Sequence, residues 1–178
     1  MKRNYFLSIV LSLLTLCLMS CESSSLDTKN SATEPYFPEP CLAWGSDIAT
    51  VKSKMLSLGY LLDCVESDEE ECVMQFVYNN NLYCVCWFVN GKYLVSSRVV
   101  GLPASVAQNI DMNYSKRAKY LGMIVEDEYW TDWFETKDGK TLFCVVIYNF
   151  EDDAVIQYFS KNSESGKELY EELLEDLK

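Results

Sequence analysis

Between Tyr60 and Phe159 the chain repeats one local pattern, a short run of apolar, β-branched and aromatic residues followed by a cluster of turn residues. The runs are Tyr60 to Val65, Cys72 to Tyr78, Leu82 to Val89, Lys92 to Val100, Met123 to Glu126, Trp130 to Thr136, Thr141 to Asn149 and Ala154 to Phe159. Residues of these types suit a pleated, half-buried surface. The breaks hold Glu66 to Glu71, Asn79-Asn80-Asn81, Asn90-Gly91, Asp138-Gly139 and Glu151-Asp152-Asp153. Asn-Gly and Asp-Gly tolerate the positive φ of tight hairpins. Breaks this short join antiparallel neighbours and leave no room for crossover helices.

Helical patterns occur at three places. Ser46 is placed to cap a helix with Asp47 in its first turn, Ile48, Val51, Met55 and Leu58 fall at helical spacing, and Gly59 stands at the end. Pro103 suits the first turn of a second helix, with apolar Val106, Ile110 and Met112 and an end at Gly122; Lys116, Arg117 and Lys119 then oppose the dipole at its end. At the C-terminus Ser165 and Glu168 have capping-box spacing, and Leu169, Tyr170, Leu173, Leu174 and Leu177 form one apolar stripe.

Leu82-Tyr83-Cys84-Val85 matches Leu142-Phe143-Cys144-Val145, and Leu58-Gly59 matches Leu121-Gly122. These matches predict an internal duplication of about 60 residues. The expected fold is α+β, with two tandem α-ββββ repeats, helices packed on one face of antiparallel sheet, and a C-terminal helix. The repeats are expected at 44–101 and 102–160, with the last helix in 161–178.

The N-terminal segment reads as an address. Lys2 and Arg3 precede a short apolar run, which ends at Leu18-Met19-Ser20-Cys21 before a polar stretch. That is the layout of a secretory signal, and the run is shorter than the roughly 20 residues a spanning helix needs. Leu18, Ser20 and Cys21 together resemble the lipobox of bacterial lipoprotein precursors. The resemblance implies cleavage after residue 20 and acyl chains, palmitate among them, on Cys21. Two or more chains hold a protein firmly to a membrane. Residues 21–43 read as a tether, polar at first and then stiffened by Pro35, Pro38 and Pro40. Glu22 after the cysteine differs from the Asp that resembles an inner-membrane retention signal, so the outer membrane is the expected site, facing the periplasm or the surface. The body is similar, by the pattern of residues 44–160, to tandem helix-plus-sheet repeats in small secreted bacterial proteins, among them β-lactamase inhibitor proteins and small outer-membrane assembly lipoproteins. The Trp44-Gly45 and Val51-Lys52 spacing resembles envelope lipoproteins of gut anaerobes. None of these resemblances carries a functional residue across.

With 27 acidic against 15 basic residues the net charge is −12, which argues against nucleic acid or an anionic lipid surface as partner. The absence of histidine removes Ser/His and Cys/His catalytic arrangements and the commonest zinc ligand. Six cysteines follow Cys21: Cys41, Cys64, Cys72, Cys84, Cys86 and Cys144. In an exported chain an even number points to disulfides, and Cys64 with Cys72, flanking one acidic turn, are the first candidates. Cys84 and Cys86 share a strand face and would each need another partner; mid-strand placement gives them no metal-site geometry. No metal or cofactor is expected.

Tyr129, Trp130, Trp133 and Phe134 put large rings on both faces of one strand. Such rings either pack in a core or present a rigid face to sugars and proteins. The expected function is therefore a lipid-anchored, non-catalytic envelope protein presenting a protein- or glycan-binding surface around Trp87, Tyr129 and Trp133. The rival readings are a structural or assembly accessory lipoprotein of the outer membrane, and a hydrolase using carboxylates such as Glu126, Asp127 or Asp132.

Overall fold

Alternation along each strand decides which way the sheet faces. In the computed structural model, which describes residues 37–67, 71–79, 81–90, 92–114, 117–149 and 153–177, eight strands form, seven at the apolar runs and the fifth starting five residues ahead of its run, where a helix end was expected. They are β1 (Leu61–Ser67), β2 (Glu71–Tyr78), β3 (Leu82–Val89), β4 (Tyr93–Leu102), β5 (Ala118–Val125), β6 (Tyr129–Thr136), β7 (Thr141–Tyr148) and β8 (Ala154–Ser160). Helix α1 (Ile48–Ser57) precedes β1, α2 (Ala104–Tyr114) follows β4, and α3 (Glu164–Asp176) follows β8.

All eight strands belong to one antiparallel sheet in the order β1-β2-β3-β4-β8-β7-β6-β5. The halves join where β4 pairs with β8, with Ser96 opposite Phe159 and Val99 opposite Ile156. Residues of one register row share a face. The row Met74, Cys86, Ser97, Tyr158, Phe143 and Phe134 faces α1 and α2. This is the two-helix face, where α1 lies against β1 and β4, and α2 against β7 and β8. Val51 and Met55 of α1, one turn apart, are completely buried there.

The neighbouring row, Gln75, Val85, Arg98, Gln157, Cys144 and Trp133, looks the other way. On that one-helix face Leu169 and Leu173 of α3 pack with Trp133, Leu142 and Cys144. Burying two leucines contributes on the order of 1.5–3 kcal/mol each. Two glycines let α3 come so close. A Cβ on Gly166 would stand 2.0 Å from the Ser160 carbonyl oxygen, and one on Gly122 would meet Leu177 Cδ2 at 2.6 Å.

The architecture corrects the expected fold. The molecule is not two tandem helix-and-sheet units with helices on one face; it is one eight-stranded sheet with helices on both faces. The duplication in the sequence also fails in register. Cys84 faces the two-helix core while Cys144 faces α3. A match that shifts a strand by one residue turns every side chain over. Gly122 ends no helix: α2 stops at Tyr114, and Gly122 (φ +152°) sits at a bulge inside β5. Lys119 lies in β5 and reaches Glu135 at 3.8 Å, and Lys116 lies outside the described residues. The helix caps move as well. Asp47, not Ser46, caps α1, accepting the Thr50 N–H at 2.7 Å, which holds its carboxyl below the usual range. Ser163, not Ser165, caps α3, accepting the Gly166 N–H at 3.1 Å. The packed body also starts before residue 44, because Phe37 and Cys41, at the end of the expected tether, are buried in the two-helix core.

Candidate functional site

The structure separates the three rings expected to form a contact surface. All lie on the one-helix face, but Trp87 is on β3 while Tyr129 and Trp133 are on β6, four strand spacings or about 19 Å away. Trp133 is not a surface residue. It is 9% exposed beneath α3, stacked on Phe159 with ring centres 6.2 Å apart, and its indole N–H has no hydrogen-bond partner. Tyr129 is half-buried and meets Tyr148 edge-on at 6.0 Å; burial first, then Glu126 and Glu128, push its phenol up.

Trp87 belongs to a different setting. It is half-buried, flanked in register by Val73 and Ser96, with the Arg98 guanidinium 5.4 Å from its ring centre. Arg98 Nη2 donates to Gln157 Oε1 at 2.9 Å, which holds the guanidinium over the ring. Alternation puts Val77, Tyr83, Val85 and Val100 on the same side, all half-buried. Among the described residues no helix packs on this half of the face. The result is a twisted apolar surface with an Arg–Trp pair at its centre. Its outer edge is acidic: Asp63 on β1 accepts from Gln75 Nε2 at 2.8 Å, and Glu66 is exposed further along.

A second concavity opens at the far end of the sheet. A cleft of about 1020 Å³ lies between residues 42–45 and the β6–β7 turn, with Trp44, Tyr93, Lys137 and Lys140 among its lining. Trp44 Nε1 donates to Thr141 Oγ1 at 2.8 Å, which fixes the indole as one wall. Asp138, also in the lining, is committed to its turn. It accepts from the Thr136 hydroxyl at 2.7 Å and the Lys140 N–H at 3.1 Å, and these hold its carboxyl below the usual range, the Thr136 bond most of all.

The carboxylates of the hydrolase reading do not meet there. None of Glu126, Asp127 and Asp132 lines the cleft. Glu126 and Asp127 sit in the β5–β6 turn, while Asp132 accepts from the exposed Tyr120 hydroxyl at 2.9 Å. Among the described residues no three acidic or thiol groups converge closely enough to hold a metal ion. Cys64 and Cys72 are apart too: Cys64 is exposed opposite Gln75, Cys72 is buried opposite Ser67, and both are free thiols.

Comparison with family models, with curated proteins and with solved structures finds no match to this chain. The open half-face therefore stands on its own geometry. The sequence pointed to Trp87 but missed Arg98, Tyr83 and Val85. The missing signal was registry: Arg98 is two residues beyond Ser96 on a strand that pairs with β3, so it shares the face of Trp87.

Proposed function

We propose that this is a lipid-anchored, non-catalytic envelope protein that docks a protein partner on the open half of its sheet. The observation that supports the reading most is the Trp87–Arg98 pair, set among half-buried valines that no helix among the described residues covers. Trp and Arg are the residue types that dominate binding energy at protein interfaces when an apolar surround excludes water. The acidic β1 edge favours a partner with an apolar centre and a basic rim. Acylation of Cys21 would hold the body at a membrane, and the polar residues after it would give the body reach.

A glycan is the second reading, and the cleft favours it over the open face. Trp44 and Tyr93 offer rings, and Lys137 and Lys140 offer donors, within one concavity.

The test uses the exported, tagged chain extracted in detergent as bait for envelope proteins, with a glycan array on the same material. Saturable capture of one protein that falls at least tenfold in both Trp87→Ala and Arg98→Ala, and persists in Lys137→Ala, is the expected result. Capture indifferent to both substitutions would remove the docking face. Glycan binding lost in Lys137→Ala or Tyr93→Ala would replace it with the cleft. A Cys21→Ser variant that still carries acyl chains would end the anchoring claim.

A further inference from the structure

The sheet ends in two strands, β1 and β5, and their edges differ in charge. β1 exposes Asp63 and Glu66 and holds no basic residue. β5 is bounded by opposite signs: Arg117 and Lys119 are exposed at its start, and Glu126, Asp127 and Glu128 are exposed past its end. Between them Tyr120, Met123 and Val125 are each at least half exposed. These three share the two-helix side of the sheet. Tyr120 lies against Phe134 with ring centres 5.4 Å apart, Met123 is opposite Asp132, and Val125 is opposite Trp130, which packs into the two-helix core.

The main chain of this edge is oriented as well. The Glu126 N–H donates to the Tyr129 carbonyl across the hairpin at 2.9 Å. Main-chain groups alternate from side to side along a strand, so Ile124 and Glu126 address β6 while Met123 and Val125 turn their N–H and C=O outward. Among the described residues no strand lies beyond β5 to meet them.

We propose that β5 pairs antiparallel with β5 of a second copy of this chain, about a two-fold axis at Met123, joining the two sheets edge to edge. A two-fold interface must be self-complementary. Antiparallel reversal makes this strand so, because it sets the basic start of each β5 against the acidic end of the other. The register follows from the faces, since directly opposed residues share a side. With Met123 opposite itself, Ile124 meets Gly122, and Leu121 is the extra residue of the bulge, as it is against β6. Val125 then meets Tyr120 of the second copy, and Glu126 meets Lys119. Each contact is made twice. Lys119 also reaches Glu135 at 3.8 Å, but Glu135 is held by Lys161 as well, so the Lys119 ammonium can serve the second copy. β1 cannot pair in this way, because reversal would crowd Asp63 and Glu66 of two copies together. The net charge of −12 repels two copies at long range. Salt at 0.15 M screens that repulsion beyond about 8 Å, while the edge charges meet at contact.

The pairing lies at the other end of the sheet from Trp87 and Arg98 and uses neither the lipid anchor nor the docked partner, so it and the proposed function can fail separately. The full chain, in detergent density-matched to the solvent, is followed by sedimentation equilibrium in that salt from low to high micromolar protein. A reversible monomer–dimer equilibrium is the expected result. Met123→Lys puts two ammonium groups across the axis and should leave monomer throughout; it keeps the anchor, so shared micelles cannot imitate the effect. Lys119→Glu and Glu126→Lys should each weaken the dimer about tenfold, because like charges then face each other twice. The double variant should recover the wild-type constant to within about threefold. All three side chains are exposed, and circular dichroism checks that each variant keeps its fold. Monomer at every concentration, a dimer indifferent to Met123→Lys, or a double variant no tighter than the singles overturns the pairing. Growth past the dimer does so too, since head-to-tail contacts of β1 with β5 would not close.

Discussion

The two halves of the one-helix face share the same register rows and have opposite fates. In one row Gln75, Val85 and Arg98 lie in the open half, while Cys144 and Trp133 lie under α3. In the adjoining row Val73 and Trp87 are open, while Phe159 and Leu142 are covered. The covered half is built to be closed: two glycines admit α3, and Leu169 and Leu173 fill the space above Leu142. The open half carries valines, a tyrosine and an Arg–Trp pair, and among the described residues no helix lies over them. A face becomes a core where a close backbone approach is possible, and remains a surface where it is not.

The largest effects should come from the covered half. Leu142 is completely buried between α3 and the sheet, so Leu142→Ala should lower unfolding free energy by about 3 kcal/mol, through lost transfer and a residual cavity. Urea unfolding followed by far-UV circular dichroism measures it. A loss below about 1 kcal/mol would mean that α3 is only loosely docked. Next comes Gly166→Ala, whose new methyl would collide with the Ser160 carbonyl. A methyl cannot push backbone aside cheaply, so the first turn of α3 should lift, at a cost of about 2 kcal/mol. Trp133 emission should shift to longer wavelength as water reaches the indole; an unshifted spectrum would show the helix entering by another path.

Much of this was legible in the sequence, for reasons that can be named. Eight strands appeared because β-branched and aromatic runs end at Asn and Asp turns, and Leu82–Val89 was bounded correctly at both ends. The stripe Val51 and Met55 also reads directly into the core. The arrangement of faces did not follow. Leu-Tyr-Cys-Val and Leu-Phe-Cys-Val look equivalent, but a strand flanked by apolar residues on both sides carries no clear alternation, and β7 is buried on both faces. Nothing local told Leu142 from Phe143. For the same reason Trp87 and Trp133 looked alike: both stand in apolar strand runs, and only the docking of α3 makes Trp133 core.

A smaller effect tests how α3 is held at its start. The Glu135 carboxylate, 8% exposed, is hydrogen-bonded to the Lys161 ammonium, which also lies 3.6 Å from the centre of the Tyr170 ring on α3. Burial pulls the Lys161 ammonium down, but the hydrogen bond and charge of Glu135 outweigh it and hold the group above its usual 10.5. A lysine with a raised folded pKa contributes its stability in full below 10.5 and loses it as pH climbs through the folded value. Wild-type protein should therefore exceed Lys161→Met by about 1 kcal/mol at pH 8, and the difference should shrink above pH 10.5. Paired urea curves at pH 8 and 11 give the comparison. A gap that stays constant with pH would assign the effect to packing on Tyr170 instead of charge.

The smallest stability change is the sharpest test of the comparison. Val85 sits in the open half, half-buried and in register with Arg98. Val85→Ala removes two methyl groups that already touch water, so the unfolding free energy should fall by less than about 1 kcal/mol. If the open half is a docking surface, the same change thins the apolar surround that keeps water from the Arg–Trp pair, and partner capture should drop by about tenfold, as a loss of about 1.4 kcal/mol would give. Stability and binding then separate, which they cannot do at Leu142. A stability loss near that of Leu142→Ala would mean that Val85 is core and that something covers this half after all. Equal stability with equal capture would make the face an ordinary solvated sheet.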